Sequence, residues 1–253
     1  MDYPCDLRKW PRHAADGIPM IGYHYSSPDQ AAVVDLVDRF RIVSSSQIKR
    51  AIYRRGTECG RRTRHGDHLL KLYNRRQIQR LSERYTFGPG AAQYIYVPAK
   101  SNRQEYDRHT IEVTELYVRL VESADKGELT AGGEISFRDE LAFDPEPYSH
   151  REWGGQVVNS DAYVVYRGRH WALELDRGTE CGAAFTAQLT KYIKAYQASF
   201  VEDGEEPLTF PHVLWITHNP KRLAYIRREI EKKRVPGLFR ACLFNDFVKV
   251  LQG

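Results

Sequence analysis

Apolar residues recur along this chain with two periods. In the first third the period is helical. Val33, Val34, Leu36, Val37 and Phe40 share a helix face, and Ser26-Ser27-Pro28-Asp29 supplies a cap and an N1-like proline ahead of them. Ser44-Ser45-Ser46-Gln47 reads as a second cap before a short helix with Ile48, Ala51 and Ile52. A third helix is predicted over about 64–74 on Leu69, Leu70 and Leu72. Residues 77–81, the turn Gly88-Pro89-Gly90 and residues 93–98 predict a strand, a tight turn and a second strand. A polar linker over 99–108 leads into an amphipathic helix over 108–124, with Ile111, Val113, Leu116, Tyr117, Leu120 and Val121 on its apolar side. Gly132-Gly133 ends that helix, and 134–137 is a predicted strand. Residues 138–156 carry Pro145, Pro147 and Gly154-Gly155 and are expected to be irregular.

The period then changes to two. Ser160-Asp161-Ala162-Tyr163-Val164-Val165-Tyr166 and Trp171-Ala172-Leu173-Glu174-Leu175-Asp176 flank a turn at Arg167-Gly168, the pattern of a β-hairpin. If the turn is centred between Arg167 and Gly168, residues whose numbers sum to 335 face each other, and Asp161 lies opposite Glu174. Asp176 falls on the same face by alternation. The other face, with Ala162, Val164, Tyr166, Trp171, Leu173 and Leu175, is wholly apolar. Like charges directly opposed across a hairpin are destabilising. Three carboxylates gathered on one face therefore point to a cation between them, and oxygen-only ligands suit Mg²⁺ or Mn²⁺.

After the hairpin, a helix is predicted over 180–200. Its stripe Phe185, Leu189, Tyr192, Ile193, Tyr196 and Phe200 keeps 3–4 spacing. Residues 212–217 form a nearly continuous apolar run, expected of a strand covered on both faces. A basic helix over 220–233 and a short strand or helix within 239–251 close the chain. The 253 residues are enough for one large domain or two smaller ones, and 42% hydrophobic content supports a packed core. No apolar run approaches the roughly 18 residues of a membrane span. The first residues lack the pattern of a signal peptide. Four scattered cysteines form no C-x-x-C pair, which points to a cytoplasmic chain with neither a zinc cluster nor a disulfide framework. No P-loop is present, so a nucleotide cofactor is not expected. Nor is there a His cluster beside a nucleophilic tyrosine, or a G-x-S-x-G motif.

Net charge is +5 overall, but it is unevenly distributed. Between Arg39 and Arg84 there are fourteen Lys or Arg against three acids, a local excess of eleven positive charges. Arg54, Arg55, Arg61, Arg62, Arg64, Lys71, Arg75 and Arg76 surround the third predicted helix. That density fits phosphate contacts on DNA. Three short helices followed by a β-hairpin resemble a winged helix-turn-helix, which implies double-stranded DNA as partner with the third helix in the major groove.

The second half reads helix, strand, strand, strand, helix, strand. With an aspartate at Asp161 and an acid-x-acid at Glu174 and Asp176, it resembles the PD-(D/E)xK nuclease superfamily. Gln188 and Tyr192 resemble the Gln-x-x-x-Tyr signature of its RecB-like branch. The whole layout is similar to the replication-relaxation family of plasmid and mobile-element proteins, most specifically over Glu174-Leu175-Asp176-Arg177-Gly178-Thr179-Glu180. The fold expected is thus mixed α+β or α/β: an irregular segment 1–27, a winged helix over 28–99 and an αβββαβ nuclease-like domain over 100–253. The resemblance implies Asp161 and Glu174 as metal ligands, with Glu115 or Glu112 as a further ligand from the preceding helix. It departs from the superfamily at Asp176, which stands in the lysine position. An acid there can act as base or ligand, and Lys191 or Arg177 is the candidate replacement cation. Gln188 is a candidate support for the ligands. The expected activity is metal-assisted phosphodiester hydrolysis in plasmid or mobile-element processing, giving a nick from a monomer and a double-strand cut from a homodimer. The alternative is a catalytically inactive DNA-binding regulator or replication accessory, which the missing lysine favours.

Overall fold

The computed structural model describes residues 27–86, 91–125, 141–166, 168–178, 182–200 and 210–253. The chain divides into two compact units, Met1–Lys126 and Gly127–Gly253. It is a mixed α+β protein. Among the described residues no helix is long and apolar enough to cross a membrane.

The first unit begins with α1 (Pro28–Phe40), capped by the Ser27 side chain on the Gln30 amide. A two-residue strand β1 (Val43–Ser44) leads into α2 (Ser45–Ile52). Ser44 and Gln47 form a reciprocal capping box there, each side chain bonded to the other's backbone amide. Helix α3 (Glu58–Asn74) starts a turn and a half earlier than its apolar residues predict. The reason is local. Thr57 caps the helix through the Gly60 amide, and in the first turns the small Cys59 is exposed, so no buried apolar residue marks them. Only Leu69 and Leu72 of α3 are buried. Strands β2 (Ile78–Tyr85) and β3 (Gln93–Pro98) pair antiparallel, with a bulge between Arg80 and Arg84, and β3 also pairs with β1. The expected turn at 88–90 lies outside the described residues. Ile42, Leu81, Tyr85, Ile95 and Val97 make the core on this sheet.

Helix α4 (Arg108–Asp125) corrects the expected boundary near residue 99. It belongs to the first unit. Ile111 joins that unit's core, Thr114 Oγ1 donates to the Ile42 carbonyl at 3.2 Å, and Gln47 Nε2 donates to the Ile111 carbonyl at 2.8 Å. Arg50 of α2 supplies the strongest tie. It grips Glu115 with Nη1 and Nη2, both at 2.9 Å, and Glu122 with Nε and Nη2 at 2.7 and 2.6 Å. A helix held by buried polar bonds cannot be told from a linker helix by apolar spacing.

The second unit is a five-stranded sheet in the order β10-β9-β8-β7-β4. Strand β4 (Leu141–Pro145) pairs antiparallel with β7 (Ala162–Tyr166), which pairs antiparallel with β8 (Arg169–Asp176). Strands β8, β9 (His212–Thr217) and β10 (Phe239–Leu243) are parallel. The segment expected to be irregular thus holds β4, together with a small ladder of β5 (Arg151–Trp153) and β6 (Gln156–Val158). Its prolines mark strand ends rather than absence of strand. The strand expected over 134–137 lies outside the described residues. Helices α5 (Gly182–Ala198) and α6 (Pro220–Lys233) are the two parallel crossovers, and α7 (Phe247–Gln252) packs on β10. Successive right-handed crossovers moving in one direction place both helices on one face of a sheet. Here that face carries Tyr163, Ala172, Val213, Trp215 and Phe239 against Phe185, Leu189, Tyr192 and Ile226. Between β5 and β6, Gly154 has a positive φ, and a Cβ there would meet Ala198 at 2.7 Å. The opposite face, including Val164, Trp171, Leu173, Leu214 and Ile216, is also fully buried.

Arg50→Ala is expected to lower stability by about 2 kcal/mol, because it removes two charged hydrogen bonds from the buried Glu115 carboxylate and leaves it only the longer ones of Arg119 and Gln47. Urea unfolding of the full chain, followed by circular dichroism, measures it.

Candidate functional site

The β7–β8 register is the one the hairpin sequence predicts. Ala162 faces Leu173, Tyr163 faces Ala172 and Val164 faces Trp171. Asp161 and Glu174 are the next positions beyond the last pair, Ala162 and Leu173. Asp161 Oδ2 accepts the backbone N–H of Leu175 at 2.6 Å. Glu174 is 4% exposed and accepts the hydroxyl of Tyr192, which α5 brings to this face. The Tyr192 phenol is held well above its ordinary pKa. Burial is the largest cause, followed by the charge and hydrogen bond of Glu174 and the charge of Asp161. One protonated phenol therefore sits in the field of both carboxylates. A phenol that stays protonated is a permanent donor, which suits a buried carboxylate.

The acidic face is not the open wall that alternation suggested. It is also a core face, packed by α5 and α6. Asp176 departs from the expected trio for this reason. Its Oδ2 accepts Arg222 Nε at 2.9 Å and Nη2 at 2.6 Å, and its Oδ1 accepts the Gly178 amide at 2.5 Å. Asp176 pairs with Thr217 at the end of β9, and α6 starts three residues later under an Asn219 cap. Its first turn thus stands beside Asp176. The Arg222 guanidinium packs 4.8 Å from the Tyr225 ring centre and 5.5 Å from that of Phe185. A carboxylate with both oxygens so engaged is neither a ready base nor an open ligand.

The remaining expected residues scatter. Glu115 is corrected as a ligand: its oxygens take Arg50 twice, Arg119 at 3.3 Å and Gln47 at 3.4 Å, all within the first unit. Glu112 is buried there too, bonded by Arg108 at 2.9 Å. Lys191 is exposed on α5, off the stripe of Phe185, Leu189, Tyr192 and Ala195 that meets the sheet. Gln188 is half-buried one turn before Tyr192, on the same side of the helix. Arg177 is exposed. Among the described residues no group of three or more His, Cys, Asp or Glu could hold a metal ion. Of the expected ligands, Asp161 and Glu174 are each bonded to a neutral donor, the Leu175 amide and the Tyr192 hydroxyl.

The basic residues of the first unit divide by role. Arg54 donates to the Val121 carbonyl at 3.3 Å. Arg61 bonds Glu58 at 2.6 Å and the Arg54 carbonyl at 3.2 Å. Arg64 bonds the Arg55 carbonyl at 2.7 Å and lies 3.6 Å from Asp29. These three build the fold. Arg55, Arg62, Lys71, Arg75 and Arg76 are exposed on or beside α3.

Two features escaped sequence reasoning. One is Arg222, whose signal was the Asn219-Pro220 helix start directly after a strand parallel to the acidic one. The other is a chain along the same sheet face. Asp144 accepts Arg151 at 2.7 Å, Arg151 lies 4.1 Å from the Tyr163 ring centre, and the Tyr163 hydroxyl meets His170 Nδ1 at 2.7 Å. Burial, then Arg151, lowers the His170 pKa. Tyr163 is itself buried, so this Tyr–His pair is not an accessible nucleophile. No family model, curated protein or solved structure matches this chain.

Tyr192→Phe is expected to lower stability by about 1.5–3 kcal/mol through the lost charged hydrogen bond. Arg222→Ala is expected to lower it by about 3–5 kcal/mol, and adding Asp176→Asn should restore part of that loss by removing the stranded charge. Denaturant unfolding of the three variants checks both.

Proposed function

We propose that this chain is a DNA-binding, divalent-metal-dependent endonuclease that nicks one strand. In this reading the first unit is a winged helix and the second a PD-(D/E)xK-like domain without its lysine. The observation that carries it is that the carboxylates of Asp161 and Glu174, at the end of the hairpin, both act on Tyr192, with Gln188 one turn away on the same side of α5.

The residues present fit a hard cation. Mg²⁺ characteristically binds through one or two carboxylates and keeps waters or substrate phosphates for its other positions. Asp161 and Glu174 would hold it, and when bound it supplies an activated water and neutralises charge at the phosphate. Tyr192 fixes the Glu174 carboxylate, and the Leu175 amide fixes Asp161. Asp176 serves to order Arg222 rather than to take a proton. The exposed cations Arg55, Arg62, Lys71, Arg75 and Arg76 would neutralise DNA phosphates, while the exposed start of α3 enters the major groove. One site in one chain cuts one strand. A place in plasmid or mobile-element processing rests on the resemblance of the 174–180 run alone.

A second reading has its own observation. Asp176 occupies the lysine position and is tied to Arg222, so a cation delivered on that strand is missing. On this reading the second unit clamps DNA without cutting it.

Incubation of supercoiled plasmid with the full chain and Mg²⁺ or Mn²⁺ is expected to yield open circles. Glu174→Gln, which keeps an acceptor for Tyr192, should slow nicking by roughly 100-fold or more while leaving DNA binding intact. Binding without nicking, unchanged by the substitution, decides for the clamp.

A further inference from the structure

The C-terminal end of α3 and the β2–β3 pair carry a continuous stack of side chains. The Arg80 guanidinium carbon lies 4.7 Å from the ring centre of Tyr73 and 4.2 Å from that of Tyr94. Arg84 lies 4.2 Å from the Tyr94 ring centre and donates Nη2 to the Tyr94 hydroxyl at 2.7 Å. The order is therefore Tyr73, Arg80, Tyr94, Arg84. The bulge between Arg80 and Arg84 sets it, because it offsets β2 so that two arginines flank one tyrosine of β3. Tyr73 at one end is 38% exposed, and Arg84 at the other end is exposed. One turn before Tyr73 on α3, Leu70 is 56% exposed. Lys71, Arg75 and Arg76, all exposed, neighbour these residues in sequence.

We propose that this stack is a platform for unpaired nucleotides of a DNA strand, so that the first unit prefers duplex DNA adjoining a single-stranded stretch. The proposal rests on the DNA-binding reading given above and names the form of DNA it takes. Paired bases are stacked on one another and show a protein only their edges. Flat phenol and guanidinium surfaces find partners in bases whose faces are free. The same patch combines exposed apolar area at Leu70 and Tyr73 with a high density of positive charge. Unpaired nucleotides offer the matching pair of features, an apolar base face and a phosphate. Both arginines are already held in place by the tyrosines, so less side-chain freedom is lost when a base arrives.

The test compares a blunt duplex with the same duplex extended by about ten unpaired nucleotides, a length within the range of single-strand binding sites. Binding of the full chain is read by fluorescence anisotropy, and a 2-aminopurine in the extension reports stacking. The extended duplex is expected to bind about ten-fold tighter and to show quenched 2-aminopurine emission. Tyr73→Ala and Arg80→Ala should abolish that preference and the quenching, with blunt-duplex affinity held within about two-fold. Tyr73→Phe, which keeps the ring, should retain both. Equal binding of the two DNAs, or a preference that survives Tyr73→Ala, overturns the platform and leaves duplex binding standing. Failure to bind either DNA overturns the platform and the DNA-binding reading together.

Discussion

Two carboxylates at the end of one hairpin, both acting on the buried Tyr192 phenol, are the constraint around which the second unit is organised. Asp161 and Glu174 cannot be moved apart without shifting the register, and a one-residue shift would turn every apolar side chain of β7 to the other face. Glu174 is buried, so its charge cannot be relieved by turning to solvent, whereas Asp161 is partly exposed. Both are met by local donors. The Leu175 amide serves Asp161, and the Tyr192 hydroxyl serves Glu174. The second donor requires α5 to cross this face with a tyrosine at one position of its apolar stripe. That in turn requires the β8–α5–β9 crossover to lay α5 on this face of the sheet.

The third acid on the same strand shows how a different partner changes the chemistry. Asp176 meets a guanidinium in a buried pair, and such a pair is largely a folding device: costly to break, weakly stabilising overall. Tyr192 and the Leu175 amide offer Asp161 and Glu174 orientation without a full opposing charge from those two groups. Two acids two residues apart therefore differ in role because one faces the start of α6 and the other faces the middle of α5. Alternation alone places both on one face and cannot separate them.

That distinction marks the border of what the sequence made legible. Hairpin register followed from turn symmetry and held to the residue. The 212–217 strand and the 220–233 helix were also readable, the first from its unbroken apolar run and the second from its Asn-Pro start. Strand β4 was not readable, because Pro145 and Pro147 end it so soon that its five residues resemble a loop. Nor was the assignment of α4 to the first unit. Its ties there include Ile111 in the apolar core and polar bonds with Arg50, Gln47 and Ile42, all over sixty residues away in sequence. The site was half legible for a related reason. Periodicity reports which face a side chain takes, whereas ligand or salt-bridge status depends on which helix is laid over it.

The basic character of the first unit obeys the same logic. A count of cations between Arg39 and Arg84 treats them alike, yet folding separates them. Arg50, Arg54, Arg61 and Arg64 are engaged by carboxylates and carbonyls, Arg64 while still exposed, and they tie α2 to α4 and the 54–55 loop to α3. Structural use of these arginines lowers the charge that reaches solvent but fixes the segment from which the others project. Arg55, Arg62, Lys71, Arg75 and Arg76 are then presented on a rigid scaffold rather than on a charged and mobile stretch. A helix with only two buried residues, Leu69 and Leu72, holds its place through such flanking bonds. Its exposed length is available for contact because Leu69 and Leu72, with polar bonds from its own Arg61, Arg64, His65 and His68, anchor the opposite side.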